Sequence, residues 1–345
     1  MAQDQVEVTR AAPAVPAAPE RERTWRTVRW SLAAAYLGVL VWFIAVYGIP
    51  LDRIGLTLWV LGGLAISVIG RGWRAFGSIL LDWLPFTAIL VAYDYTRGLA
   101  GHYGAHALVQ GAHNALGFPL HVTEPADFDR WLFGGTLPTA WLQDHLYTYG
   151  WVHWWDLVVT LVYLSHFLVT PVLAMVLWIR HRQRFRAWVG CVVAMAVLGV
   201  ATYIVYPMAP PWMAAEQGVI EPISRISGLG WSYLDLGVAQ QVLANSQALA
   251  NPVAAMPSLH TGYATMVALF LMVGAPWWRR ALLACYPMLM GWALIYSGEH
   301  YVLDVLAGIL YAAVIVGAWL LVRRHRARHQ QPVGASAQAP PSLPS

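Results

Sequence analysis

Residues 256–304 read MPSLHTGYATMVALFLMVGAPWWRRALLACYPMLMGWALIYSGEHYVLD, and this stretch decides the fold. Pro257-Ser258-Leu259-His260 opens one apolar run, Tyr263–Val273, and His300-Tyr301-Val302-Leu303-Asp304 opens another, Tyr301–Val322. Between them lies a third run, Leu282–Tyr296, preceded by Pro276-Trp277-Trp278-Arg279-Arg280. Read as membrane helices, these segments carry the chain across from the motif side, turn it at the arginines and bring it back. His260 and Arg279 are 19 residues apart, or about 28 Å at ~1.5 Å per residue, close to the ~30 Å hydrocarbon core of a bilayer. Both histidines then arrive on one membrane face, each at a helix N-terminus, an arrangement suited to phosphate chemistry.

Outside this stretch the composition agrees. The chain has 345 residues, 59% of them hydrophobic and only 11% charged, which is too apolar for a soluble domain. Runs of ~17–25 apolar residues recur, the length of membrane helices. Spans are expected at roughly 28–48, 54–70, 78–96, 153–179, 186–206, 259–275, 280–297 and 301–322. The fold class is therefore all-α, a polytopic membrane bundle of about eight transmembrane helices. Residues 1–24, rich in Ala, Pro, Arg and Glu, are expected as a disordered cytoplasmic tail. A three-span region with an extracytoplasmic loop follows over 25–152, then a catalytic helical core over 153–322 and a second cytoplasmic tail over 323–345. Apolar sequence starts only near Val28, late for a signal peptide, so the first span is read as uncleaved. Cys191 and Cys285 fall inside apolar segments and read as core-filling thiols.

The arginines set the orientation. All 21 basic residues are arginine. With a cytoplasmic N-terminus and eight alternating spans, 17 of the 21 fall on the cytoplasmic side, as the positive-inside rule requires. Only Arg53, Arg97, Arg130 and Arg225 lie outside. This places both termini in the cytoplasm and both histidine motifs on the extracytoplasmic face, with the plasma membrane as the expected location. The net charge of +4 is spread over segment ends, so no nucleic-acid partner is expected. Two long outer segments remain. Residues 97–152 read as interfacial or re-entrant helices, and in 207–257 the run Pro207-Met208-Ala209-Pro210-Pro211-Trp212 must end the fifth span.

Chemistry concentrates at the motifs. A spacing of four puts His300 and Asp304 on one helix face. The carboxylate can take a hydrogen bond from one imidazole nitrogen and leave the other with its lone pair free, the base-plus-orienter logic of an activated nucleophile. Ionisable residues inside spans are costly and usually functional. Pro257 and Ser258 read as a helix start, with Ser258 capping. The amides there favour an anion, and His260 can protonate a leaving oxygen.

These motifs resemble the type 2 phosphatidic acid phosphatase superfamily, whose pattern is K-x6-R-P, then P-S-G-H, then S-R-x5-H-x3-D. Pro257, Ser258 and His260 match the second part, with Leu259 in place of glycine; His300 and Asp304 match the end of the third. The resemblance covers roughly residues 150–322 and makes that region a phosphatase-like core. It implies His300 as a nucleophile that forms a phosphohistidine, Asp304 as its partner and His260 as the acid. Ala293-Leu294 stands where the third part has S-R, and Tyr203 where the first has lysine. The chain looks closer to the inositol phosphorylceramide synthase branch, which keeps the histidines and aspartate. Asp82-Trp83-Leu84-Pro85 and Ala209-Pro210-Pro211-Trp212 also look like that branch. A phosphate still needs compensating charge, so Ser258, Arg97 and Arg130 are expected as phosphate-binding residues. Asp94 near Arg97, and Asp127 and Asp129 near Arg130, offer those arginines local ion pairs instead.

The reading that results is a membrane lipid-phosphate phosphatase or phosphotransferase, metal-independent and without a cofactor, leaning to transfer of an inositol phosphate-type head group. Its partners are the bilayer, a lipid phosphate or phospholipid substrate and a polyol head-group acceptor. A simple prenyl or phosphatidate phosphatase is the nearest alternative. An intramembrane protease built on Ser258 fits poorly because the serine lies at a helix mouth, and a transporter or scaffold would place its polar groups mid-membrane. His102 and His106, four apart, lack further ligands at a metal-binding spacing. His166 reads as a core histidine bonded to a neighbouring helix, and Trp154-Trp155 and Trp277-Trp278 as interfacial anchors.

Overall fold

The computed structural model describes residues 18–47, 53–100, 111–248 and 251–329. Among these residues the secondary structure is helical, with isolated β-bridges only. Three helices come first: α1 (Ala18–Tyr47), α2 (Arg53–Val68) and α3 (Trp73–Ala100). Two short ones follow, α4 (Glu124–Leu132) and α5 (Pro138–Leu146), and then the long pair α6 (Trp154–Arg180) and α7 (Arg182–Val205). Three more short helices, α8 (Pro211–Glu216), α9 (Gly230–Tyr233) and α10 (Gly237–Ala248), lead to α11 (Leu259–Met272), α12 (Trp277–Tyr296) and α13 (Val302–His329).

Each of the eight segments expected as a span coincides with one of these helices. Four are long and apolar enough to cross a membrane: α1 from Arg21, α6, α7 and α13. Shorter apolar stretches are Thr57–Val68 of α2 and α11. The chain is thus an integral membrane protein of helical build. Helix α1 starts at Ala18, inside the stretch read as a tail, and α13 continues to His329, past the expected end at 322. Residues 1–17 and 330–345 of the two tails lie outside the described residues, as do His102 and His106.

The main core gathers side chains of α2, α3, α6, α7, α11 and α13, with Trp83, Trp188, Met195, Met266 and Phe270 all buried. Cys191 is buried there, whereas Cys285 is exposed on α12, correcting its reading as a core residue. At one end of the bundle Asp82 of α3 pairs with Arg182 and accepts a hydrogen bond from Trp178 Nε1 at 2.9 Å. The guanidinium of Arg182 lies 3.7 Å over the Trp178 ring. Nearby, Arg184 donates to the Phe270 carbonyl in the last turn of α11, where a cation meets the negative end of the helix dipole. The Asp82 motif therefore ties α3 to the α6–α7 turn.

At the opposite end the loops form a cap. Backbone bridges link His121 to Met208 and Met208 to Ala254, and Leu120, Val122, Met208, Met213, Val253 and Tyr301 bury one another beneath. Gln143 of α5 clamps the layer: its Nε2 donates to the carbonyls of Ser224 and Tyr296, both at 2.8 Å, and its Oε1 accepts from the Ser224 amide at 2.9 Å. Helix α7 stops at Val205, just before Pro207, as the proline run requires. Exposed Trp131, Trp141, Trp151 and Trp154 surround this end, the placement of interfacial aromatics.

Candidate active site

Helix α11 starts where its sequence says it should. Ser258 is the N-cap, its hydroxyl accepting from the Thr261 amide at 3.3 Å and donating to Thr261 Oγ1 at 3.3 Å. Fully buried, the serine spends its hydroxyl on the helix start. The Ser258 amide donates to the Asp304 backbone carbonyl at 2.9 Å, which pins the mouth of α11 to the first turn of α13. Small residues permit this approach. A β-carbon on Gly308 would meet the Ser258 carbonyl oxygen at 2.3 Å, and one on Gly262 would lie 3.4 Å from the Gly308 oxygen. Such stripes let membrane helices pack backbone to backbone where lipid offers no hydrophobic drive between them. Leu259, which replaces the superfamily's glycine, packs over Gly199 of α7, where an added β-carbon would come within 2.8 Å of its Cδ2.

The turn before α13 is equally determined. Gly298 has φ +75, and a β-carbon on it would lie 2.8 Å from the Ser224 oxygen, so glycine suits both the backbone and the space. Asp129 of α4 then caps α13 from outside: its carboxylate accepts from the amides of Val302 at 2.8 Å and Leu303 at 3.0 Å. Burial raises the Asp129 carboxyl to about 6, against the lowering pull of those two amides. The start of α13 therefore already holds an anion, one supplied by the protein itself.

These two helix starts bring the predicted residues together. His300 Nδ1 lies 2.8 Å from Asp304 Oδ2, both residues being buried. A carboxylate in that position accepts a hydrogen bond from Nδ1–H and leaves the Nε2 lone pair free. The ring of His260 is 5.7 Å from that of His300, centroid to centroid. His260 Nε2 is buried without a hydrogen-bond partner among the described residues, a costly condition that a bound oxygen would relieve. Around His260 stand Tyr163, His166 and Phe167 of α6, with ring centroids at 4.8, 4.2 and 5.9 Å. His166, expected as a core histidine bonded to a neighbouring helix, does pack against α11, and the ring it meets there is His260. Counted along α6, it lies 12 residues from Trp178, about 18 Å at ~1.5 Å per residue, so the Asp82 motif is remote from the histidines.

The phosphate-binding candidates fare unevenly. Arg130 is shared between Glu221 at 2.6 Å and Asp127 at 3.3 Å. Arg97 falls in α3, but its side chain lies outside the described residues. From the sequence Arg225 stands only among the four outer arginines and Glu299 carries no signal, yet the structure pairs them. Arg225 Nε and Nη2 donate to the two Glu299 oxygens at 2.9 and 3.0 Å. Ser227 Oγ and Gln247 Nε2 add bonds to Glu299 Oε1 at 2.6 and 3.2 Å. Burial works against the Arg225 charge, yet the facing Glu299 carboxylate, with Glu216 adding to it, holds the guanidinium pKa above its usual value. The partners are 74 residues apart, a pairing that no local spacing reveals. Among the described residues no group of three or more His, Cys, Asp and Glu is placed to hold a metal.

A helical membrane protein with a buried His–Asp pair facing a second histidine across two helix mouths defines the class. The profile of the PAP2 superfamily matches residues 126–318, and the chain belongs to that superfamily. Its relatives include the phosphoinositol dihydroceramide synthase of Bacteroides thetaiotaomicron, 28% identical over 254 residues that cover 69% of this chain and 74% of that protein. The inositol phosphorylceramide synthase catalytic subunit of Saccharomyces cerevisiae is 33% identical over 127 residues, 35% of this chain and 31% of the yeast protein. That of Schizosaccharomyces pombe is 29% identical over 124 residues, 35% of this chain and 29% of its own length. The superfamily and the synthase-like branch expected from the histidine motifs are both borne out. No solved structure matches the chain.

Proposed function

We propose that the protein is a lipid phosphotransferase that moves a phosphorylated polyol head group, of inositol phosphate type, from a phospholipid to a lipid alcohol. The observation that carries this reading is the His300–Asp304 pair at 2.8 Å facing the unpartnered His260 nitrogen. The names of the relatives supply the substrate class. In the first step His300 Nε2 attacks phosphorus and the P–O bond to the donor lipid breaks, while His260 gives its proton to the departing oxygen. In the second, the acceptor hydroxyl passes its proton to His260, its oxygen bonds to phosphorus, and the P–N bond breaks. Asp304 orients His300 and stabilises the imidazolium throughout, as the carboxylate does in hydrolytic triads. Ser258 acts through the α11 start it caps. Arg97 and Arg130 remain in the proposal as phosphate ligands, Arg130 with whatever its bonds to Glu221 and Asp127 leave free.

In this reading eight helices span the plasma membrane, both termini are cytoplasmic and the histidines face the extracytoplasmic leaflet. The arginine distribution supports that orientation. The test is to incubate purified protein in mixed micelles with phosphatidylinositol and ceramide, and separately with phosphatidate and a prenyl phosphate. Transfer of the head group to ceramide, undiminished by a chelator, is expected. Release of inorganic phosphate from the monoesters without any transfer would replace the reading with that of a simple phosphatase.

A further inference from the structure

The superfamily's three cation positions hold Tyr203, Pro210 and Leu294 here, none of them charged, and the structure shows what the first and last of these do instead. Tyr203, at the lysine position, is buried and donates its hydroxyl to the Pro257 carbonyl at 3.0 Å. Leu294, at the arginine position, is fully buried in the apolar core with Tyr163 and Met290. Neither can meet a phosphate. The remaining question is which cation reaches the histidines.

Arg225 meets the requirements. Its partner Glu299 accepts from Gln247, whose Nε2 also donates to the Tyr163 hydroxyl at 3.4 Å, and the Tyr163 ring stacks on His260 at 4.8 Å. Its carboxylate partner, Glu299, is the residue immediately before His300. The guanidinium lies over the Trp212 ring at 4.8 Å. One edge of the fork, Nε and Nη2, is fixed on Glu299, while Nη1 has no hydrogen-bond partner among the described residues. Glu299 is itself over-supplied, with Ser227 and Gln247 bonding the same oxygen that Nε uses, so its charge is spread over several donors. An arginine anchored along one edge, stacked on an aromatic ring and left open at the other edge is pre-organised for a planar, charge-assisted grip on a phosphoryl oxygen. Arg130, by contrast, has its donors divided between two exposed carboxylates.

We propose that Arg225 is a further cation that binds the transferring phosphoryl group, in addition to Arg97 and Arg130, and that Glu299 is the positioning residue that aims it. This rests on the phosphoryl-transfer reading above. Charge develops on the phosphoryl oxygens as His300 attacks, and a fixed guanidinium stabilises it with no reorganisation at that moment.

The experiment uses the full-length protein in mixed micelles with phosphatidylinositol and ceramide, measuring turnover and inhibition by orthovanadate, a phosphate mimic that becomes five-coordinate when a nucleophile adds to it. Arg225→Ala should lower kcat by about 10²-fold or more and weaken vanadate inhibition in parallel. Glu299→Gln should lower kcat less and leave part of the vanadate sensitivity. A double variant, Arg225→Met with Glu299→Gln, separates binding from architecture, because removing both members of a buried pair is often neutral for stability. If the pair is only structural, the double variant regains wild-type turnover and vanadate sensitivity, which overturns the proposal. If Arg225→Ala does not fold, Arg225→Lys decides: the charge stays, the fork is lost, and unchanged kcat and vanadate inhibition would overturn the proposal equally. His300→Ala run alongside keeps the two ideas apart. Turnover surviving in His300→Ala sinks the phosphohistidine reading. An inactive His300→Ala beside a fully active Arg225→Ala sinks only the assignment of Arg225.

Discussion

Gly308 lies so close to Ser258 that any β-carbon on it would stand 2.3 Å from the Ser258 carbonyl oxygen. This contact joins the mouths of α11 and α13, and with them His260 and His300. Replacing Gly308 with alanine must therefore move one helix or the other. Enzymes lose about 10²-fold in rate when reacting groups are displaced by ~1 Å, so Gly308→Ala should cost activity on that order. Gly317 has open space beside it on the same helix, and Gly317→Ala should leave turnover near wild type. Equal activities for the two variants would show that the crossing does not set the histidine geometry.

The three central residues should differ in kind. His300→Ala removes the attacking nitrogen and should abolish transfer. His260→Ala should slow a donor with a poor lipid-alkoxide leaving group far more than one with a nitrophenolate, which needs no proton. Asp304→Asn should fold yet favour the wrong imidazole tautomer. Acid-labile, base-stable phosphate on the protein during turnover is the direct chemical readout. A His260→Ala defect of equal size for both leaving groups would remove it from the acid role.

Among the outer arginines, Arg130→Ala and Arg97→Ala should reduce turnover more than Arg53→Ala if those two help hold the phosphate. Glu221→Gln releases one of the carboxylates on Arg130 and provides a second handle on its role. Equal and mild losses at Arg53, Arg97 and Arg130 would remove the latter two from the phosphate site.

Asp129 gives the outer cap a defined pH dependence. Its carboxyl is raised from 3.8 to about 6, so the folded state holds this proton more tightly than the unfolded state. The resulting stability is complete below pH ~3.8 and is lost as pH rises through about 6. The shift corresponds to a contribution on the order of 3 kcal/mol at 1.36 kcal/mol per unit. The difference in Tm between wild type and Asp129→Asn should therefore shrink in the wild type's disfavour as pH climbs from 4 to 7. A pH-independent difference would mean that Asp129 does not titrate in this window.

Orientation can be read by labelling. In a background with the exposed Cys285 replaced by serine, Glu216→Cys should react with an impermeant maleimide on intact cells. Gln183→Cys, in the turn region beside Arg182, should react only after lysis. The reverse pattern would place the histidines in the cytoplasmic leaflet.

Much of this was legible in the linear chain because it depends on short-range rules. Hydropathy and arginine spacing located eight helices, since a segment that crosses lipid must satisfy its own backbone and keep its charges at the ends. The i, i+4 pairing of His300 with Asp304 and the Ser258 cap are local geometry; the pair meets as expected, although His300 stands two residues before α13 rather than on its face, and Ser258 caps α11 as read. What escaped depends on contacts between distant segments. The Arg225–Glu299 pair spans 74 residues, and the Asp129 cap reaches 173 residues to Val302. The entry of His166 into the site rests on how α6 packs against α11. Local sequence determines which segments become helices and where each one starts. Only the packing of small residues such as Gly199, Gly262 and Gly308 decides how closely those starts approach, because in lipid it is steric fit rather than hydrophobic drive that selects one helix crossing over another.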